Sequence, residues 1–305
     1  MKAYVFTQYG GPENQEIQEL PTPEPGPSEV RIAVRAAGVN PVDWKIRQGH
    51  MREFLPRDMP AVLGSEAAGV VEAVGQDVDG FAVGDEVFGS TASNSGAYAE
   101  QALLSAAATA RKPAGLPFAS AAVLPVAGAT AYDGITQLEL DAGATLLING
   151  IGGGVGVVAA QLARDREITV VGTASEDKRE LVESLGAILV PSGDGVAERV
   201  RQILPDGVDA ILDLVGGDSL RAVADLCADR SRIVTAADPG TAEEVGGVPI
   251  ERDRTSTVLD AVVALVAQGK IDPHVNETFP LDDAGSALAS VEAGHARGKV
   301  VLEIG

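Results

Sequence analysis

Between residues 29 and 39 the chain alternates, with Val30, Ile32 and Val34 apolar and Arg31, Ala33 and Arg35 between them. A period of two predicts a half-buried strand. Shorter runs, GVVEAVG (69–75) and GDEVFGS (84–90), are punctuated by Gly75, Gly84 and Gly89. Short strands with glycine turns predict a β-rich first third, a sandwich or barrel-like unit. The segment LPTPEPGPSEV (20–30) reads as a surface loop, because each proline removes a ladder donor.

From about residue 116 the rhythm changes. PFASAAVLPVAGATAYDGITQL (117–138) is compatible with a helix, interrupted at Pro125 and Gly128. Strand and helix signals then alternate: ATLLING, GVGVVAAQLARD, ITVVGTA, SEDKRELVESLG, VDAILDLVG, DSLRAVADLCAD, SRIVTAA. Such alternation predicts a parallel sheet with helices on both faces. Two helical stretches, VLDAVVALVAQGK and LDDAGSALASVEAG, and a strand, KVVLEI, close the chain.

One junction carries chemistry. In TLLINGIGGGVGVVAAQLAR (145–164) an apolar run ends at Gly150, and helical periodicity starts with Val155, Val158, Ala159 and Leu162. Gly150, Gly153 and Gly156 are spaced by three, with Gly152 and Gly154 between them. A strand, a glycine turn and a helix gather backbone N–H groups at the positive helix end, where a pyrophosphate can approach closely. The next strand ends in Thr173, Ala174 and Ser175 with no acid at its tip to receive a ribose 2′-OH. Ser175 and Lys178 suit a 2′-phosphate instead, so the cofactor is expected to be NADPH. Glu176 and Asp177 fit the first turn of a helix capped by Ser175.

Composition narrows the rest. The 305 residues suggest two domains, and 45% hydrophobic with 22% charged residues is ordinary for a soluble globular chain. No apolar run approaches the roughly 18–20 residues of a membrane span, and the N-terminus lacks a leader pattern, so a cytoplasmic protein is expected. The net charge of −21 argues against nucleic acid and anionic membranes as partners. Cys227 is the only cysteine, which excludes an internal disulfide and a cysteine-based metal site.

The chain resembles the zinc-independent, quinone oxidoreductase (zeta-crystallin-like) branch of the medium-chain dehydrogenase/reductase superfamily. The resemblance rests on AAGVNPVDWKIRQG (36–49), PAVLGSEAAGVVEAVG (60–75), GDEVFG (84–89), GAYAE (96–100), GIGGGVGVVAAQLA (150–163), VDAILDLVGG (208–217), FPLDDAGSAL (279–288) and GHARGKVVLEI (294–304). It implies a GroES-like β domain from residues 1–115 and 258–305, and a Rossmann domain, a doubly wound parallel sheet, from 116–257. Zinc-dependent members resemble one another in a Cys after the first strands and a Gly-His-Glu further on. Here those places read Asn40-Pro41-Val42-Asp43 and Gly64-Ser65-Glu66, and His50, His274 and His295 are the only histidines, so no metal is expected.

By resemblance, Asn40 faces the nicotinamide side of the cofactor and Thr130 its phosphates or ribose. Gly150, Gly153, Gly154, Val155 and Gly156 match the pyrophosphate loop, and Thr173, Ser175 and Lys178 the 2′-phosphate end. Leu214, Val215 and Ala236 line the cofactor at later strand ends. Ser192 or a neighbour stands where relatives often carry a Tyr near the adenine. Asn40 and Asp43 are the candidate catalytic residues, Asp43 as proton relay or as a brace for the Asn-Pro turn. Tyr98 and Tyr132 are further proton donors to weigh, and Trp44 either packs or forms a substrate platform.

Without a metal to polarise an alcohol, reduction of a quinone or α,β-unsaturated carbonyl by NADPH is the expected reaction, with a homodimer expected by resemblance. The alternative is an NADPH-binding redox sensor or structural protein with little turnover.

Overall fold

In the computed structural model, which describes residues 1–294 and 296–305, the chain opens with β1 (Lys2–Phe6) and β2 (Gln15–Glu19), an antiparallel pair. The alternating run becomes one unbroken strand of 11 residues, β3 (Glu29–Val39). Helix α1 (Pro41–Gln48) follows, a helix the apolar pattern did not announce. Its signals are local: Pro41 opens the first turn, the Asn40 N–H donates to Asp43 Oδ2 at 2.8 Å, and Gly49 ends the helix at φ +84°. Strands β4 (Ala61–Val62), β5 (Glu66–Val74), β6 (Glu86–Thr91) and β7 (Gln101–Arg111) complete this part.

The long helix-compatible segment divides into α2 (Phe118–Ala121), a π-helical turn over Leu124–Gly128 and α3 (Ala129–Gln137), so Pro125 and Gly128 do interrupt it. Against expectation, Phe118–Gln137 as a whole is long and apolar enough to cross a membrane, with mean hydropathy 1.2. Its window is 72% buried, as in the core helix of a folded domain. Strands and helices then alternate: β8 (Thr145–Asn149), α4 (Gly154–Asp165), β9 (Thr169–Ala174), α5 (Arg179–Ser184), β10 (Ile188–Pro191), α6 (Val196–Ile203), β11 (Ala210–Asp213), α7 (Gly217–Ala224), β12 (Ile233–Thr235), α8 (Pro239–Glu244) and β13 (Val248–Pro249). The chain ends with α9 (Ser256–Ala267), β14 (Val275–Pro280), α10 (Ala284–Glu292) and β15 (Lys299–Glu303).

Two compact units result. The first comprises Met1–Val126, Arg254–Ala267 and Val275–Gly305; the second, Ala127–Asp253 and Gln268–His274. The sequence reading divides the chain at 115/116 and 257/258; here α2 packs on β3 and β5, which keeps the segment up to Val126 with the first unit.

In the first unit β3 pairs with both β5 and β7, β5 with β6, and β6 with β7. That closed ring of antiparallel strands is the barrel of a GroES-like domain. Its core gathers Val30, Ile32, Leu104, Phe6 and Tyr98 with Leu288 and Leu302 from the chain's last segment.

The second unit is a six-stranded parallel sheet in the order β10-β9-β8-β11-β12-β13. Strand order reverses beside β8, giving the doubly wound Rossmann arrangement whose ligands bind outside the carboxyl ends of the strands at that switch point. The inner strands β8, β9, β11 and β12 are buried on both faces, which is why they read as short apolar runs rather than alternating ones.

Candidate functional site: the glycine turn and a buried polar cluster

Strand β8 ends at Asn149, and Gly150 turns the chain at φ +90°, where a Cβ would lie 2.7 Å from Val215 Cγ2. The N–H groups of Gly150 and Ile151 donate to Thr173 O at 3.0 and 3.1 Å, pinning the turn to the end of β9. Gly153 is the N-cap of α4; no side chain caps it, and no acid stands in the first turn. The N–H groups of Gly154, Val155 and Gly156 therefore open the helix at its positive end. A Cβ on Gly153 would meet only Gly150 O, at 3.7 Å, so this face of the turn is open. A Cβ on Gly156 would lie 2.5 Å from Ile151 O, so Gly156 serves the packing of the turn on the helix. An uncapped helix start beside an open glycine turn fits the pyrophosphate of a dinucleotide.

Beyond β9, Ser175 precedes a 3-10 turn, Glu176–Lys178, and is exposed. Its hydroxyl makes no cap bond, so it does not play the capping part the sequence offers it. Lys178 is buried, and its stem lies across the glycine turn: a Cβ on Gly152 would be 2.4 Å from Lys178 Cδ. Glu176 is engaged by the Arg179 guanidinium, which also holds Glu183 at 2.9 Å. Thus Lys178 is drawn to the loop while Arg179 is turned to its own acidic neighbours. Ser192 follows β10, its N–H donating to Ala174 O at 2.9 Å.

Four neighbouring strands carry polar residues at or next to their carboxyl ends, and these share one register. Thr173, Asn149, Asp213 and Thr235 stand side by side on β9, β8, β11 and β12, all of them at most 2% exposed. The Thr173 hydroxyl donates to Asn149 Oδ1 at 2.6 Å, Asn149 Nδ2 to Asp213 Oδ1 at 2.7 Å, and the Thr235 hydroxyl to Asp213 Oδ2 at 2.6 Å. The sequence reading missed Asn149, Asp213 and Thr235, although each closes an apolar strand (LLIN, AILD, RIVT). Leu214, Val215 and Ala236 lie just past this row; Val215 is 53% exposed and flanks Gly150, and the Ala236 N–H donates to Asp213 O at 2.9 Å. Thr130, buried on α3, receives a bond from Arg252, whose Nε also reaches Asp133 Oδ2 at 3.2 Å.

Asn40 and Asp43 belong to the first unit, at the join of β3 and α1. Asn40 Nδ2 donates to Glu66 Oε1 at 2.7 Å, and its Oδ1 accepts from Lys299 Nζ. An amide carries two N–H donors, and only one of those of Asn40 is spent here. Glu66 is fully buried, paired with Lys299 at 3.1 Å, and accepts from the Val126 N–H at 2.7 Å. Gly38 makes room for it, since a Cβ there would lie 2.1 Å from Glu66 Oε1. Asp43 accepts from the Asn40 N–H, from the Ser65 hydroxyl at 2.6 Å and from the Tyr98 hydroxyl at 2.9 Å. Burial outweighs these three bonds, the nearby Glu66 charge adds to it, and the Asp43 carboxyl is raised to about 6. Burial also pushes the Tyr98 phenol well up, helped by Asp43.

Trp44 packs half-buried against the core, edge-on to the exposed His50. His274 lies in a loop at φ +52°, and His295 falls outside the described residues. Cys227 is buried, and burial raises its thiol. Among the described residues no group of three or more His, Cys, Asp or Glu is placed to hold a metal ion.

Comparison with known proteins agrees with this geometry. Residues 26–116 match the alcohol dehydrogenase GroES-like domain, and residues 185–302 the zinc-binding dehydrogenase family. The quinone oxidoreductase of Pseudomonas aeruginosa is 32% identical, over 99% of this chain and 99% of its own. The NADPH-dependent alkenal/one oxidoreductase of Arabidopsis thaliana is 33% identical, over 99% of this chain and 79% of its own. Among solved structures, the quinone oxidoreductase from Coxiella burnetii superimposes with a TM-score of 0.89 at 31% identity, covering 100% of this chain and 99% of that one.

Proposed function

Because the chain belongs to the quinone oxidoreductase group of the medium-chain dehydrogenase/reductase superfamily, we propose that it reduces a quinone or an α,β-unsaturated carbonyl with NADPH and without zinc. The observation that carries this is the open turn at Gly153, backed by the uncapped start of α4, with Lys178 laid across Gly152 and no acid closing β9. The first two features suit a pyrophosphate, the others a 2′-phosphate rather than a free 2′-OH. The names of relatives that act on quinones and alkenals support the substrate class.

The reduced nicotinamide, when bound, supplies the hydride. The chain's own residues do the rest. The N–H groups of Gly154, Val155 and Gly156 hold the pyrophosphate, and Ser175 and Lys178 take the 2′-phosphate. Leu214, Val215 and Ala236 line the cofactor, and Thr130, steadied by Arg252, stands at its ribose side. Asn40 offers its unspent N–H to the nicotinamide side, while its other contacts fix the amide plane. Asp43, raised to about 6, accepts from the half-buried Ser65 hydroxyl and relays protons through it toward the oxygen or carbon that receives one after hydride addition. Zinc is not needed, because a quinone or enone yields a delocalised anion, and the zinc-binding Cys and His positions read Asn40 to Asp43 and Ser65. The protein works as a cytoplasmic homodimer.

The test follows the near-ultraviolet absorbance of reduced nicotinamide with purified protein, NADPH or NADH, and a panel of quinones, enones, enals and alcohols. Loss of signal with NADPH and a quinone or enone is the expected outcome. Tight NADPH binding with no turnover across the panel would replace this reading by a sensor or structural role, and preference for NADH would overturn the parts given to Ser175 and Lys178.

A further inference from the structure

The row of polar residues beneath the glycine turn has an unusual centre. Asp213 is fully buried, and among the described residues no cation pairs with it. Four donors converge on it instead. Asn149 Nδ2, the Val215 N–H at 3.2 Å and the Gly216 N–H at 3.1 Å reach Oδ1, and the Thr235 hydroxyl reaches Oδ2. Together these donors lead to three different loops at the carboxyl end of the sheet. Asn149 joins Asp213 to Thr173, which receives the N–H groups of Gly150 and Ile151. Val215 and Gly216 are the loop that flanks Gly150. The Thr235 oxygen accepts from the N–H groups of Ala237 and Asp238 at 3.1 and 3.3 Å, and Asp238 in turn receives the Gly217 N–H and caps α8.

Only a group that accepts on both arms satisfies this arrangement. The Thr235 oxygen already takes two backbone donors, so its hydrogen has to go to Asp213. Oδ1 meets three donors at once. An asparagine at 213 sets its amide against either those three donors or the Thr235 hydroxyl. Turning Asn149 over only moves the conflict, because Asn149 Oδ1 is engaged by Thr173 and by Ser219 at 3.1 Å.

We propose that Asp213 is a positioning residue for the dinucleotide, its buried carboxylate setting the 214–217 and 236–238 loops, and through Asn149 the glycine turn, in the geometry that receives the cofactor. This rests on the reading of the second unit as a dinucleotide site. It assigns to Asp213 no contact with the cofactor.

The test compares wild type, Asp213→Asn, Thr235→Val and Thr235→Ser by three readouts: NADPH dissociation constant from titration, melting temperature without ligand, and separate KM and kcat values. Asp213→Asn changes no volume, yet it is expected to weaken NADPH about tenfold, the loss of one charge-assisted bond, with the rise in KM for NADPH exceeding any fall in kcat. Thr235→Val is expected to do the same and Thr235→Ser to bind as wild type does, because the serine keeps the hydroxyl. Wild-type affinity in both Asp213→Asn and Thr235→Val overturns the proposal. So does a loss of binding that only tracks loss of folded protein, or equal effects from Thr235→Val and Thr235→Ser. If Asp213→Asn does not fold, the two Thr235 variants decide. A wild-type protein that binds neither NADPH nor NADH removes the reading of the site, and the proposal with it.

Discussion

The Ser65 hydroxyl donates to Asp43 Oδ1 at 2.6 Å, joining the chain that leads into β5 to the N3 position of α1. The same carboxyl receives the Asn40 N–H and the Tyr98 hydroxyl on its other oxygen. The Asn-Pro turn is therefore braced whether or not Asp43 also moves a proton, and the two roles separate experimentally.

A group whose folded pKa is raised favours folding fully only below its unfolded value, and that contribution is lost as pH rises through the folded value. For Asp43 the window runs from the ordinary 3.8 to about 6. Wild type should lose on the order of 3 kcal/mol from this group across that interval. Asp43→Asn should lack that part of the slope in denaturant unfolding followed against pH. A wild-type and variant pair with parallel profiles would show that the carboxyl titrates normally.

The glycines divide by function. Gly156→Ala forces a Cβ to 2.5 Å from a backbone oxygen, so a lowered melting temperature is expected, by about 1–3 kcal/mol in stability. Gly153→Ala has an ordinary φ of −90° and nothing nearer than 3.7 Å, so the protein should melt as wild type does. Its NADPH affinity should nevertheless fall, because the methyl occupies the side a pyrophosphate approaches. Calorimetric melting and ligand titration read the two effects separately.

Removing Lys299 leaves Glu66 buried without its cation. Lys299→Met should cost about 3–5 kcal/mol, and Glu66→Gln less. The double variant should cost less than the sum of the two, a coupling visible in a double-mutant cycle by chemical denaturation. Additive losses would mean that the pair contributes no more than packing.

Cofactor choice should turn on the end of β9. Ser175→Asp places an acid at the strand tip and should shift the ratio of kcat/KM for NADPH over NADH toward NADH by about tenfold or more. Lys178→Ala should raise KM for NADPH more than for NADH. Equal changes for both cofactors would place the 2′-phosphate elsewhere.

Much of this was legible from residue order. The period of two over 29–39, the alternation from β8 to β12 and the glycine spacing at 150–156 are local patterns, and each became the element it predicted. Short elements were less legible: α1 and α6 span two turns each, too few for a clear apolar stripe. Their boundaries rest on a capping acid and on glycines with positive φ instead.

The polar centres lay further from view. Asn149, Asp213 and Thr235 are scattered over 87 positions, and nothing in their spacing says that they share a row. Parallel register brings them together, since strand neighbours are set by the crossover helices and not by distance along the chain. Glu66 and Lys299 are likewise 233 residues apart, and their pairing depends on β3 lying between β5 and β15. The sequence by itself determined the doubly wound sheet and its glycine turn, because strand periodicity and glycine freedom are properties of neighbouring residues. Only the tertiary structure decided which buried charges are partnered and which backbone donors they hold, because a buried polar group is satisfied by whatever the fold brings within hydrogen-bond reach.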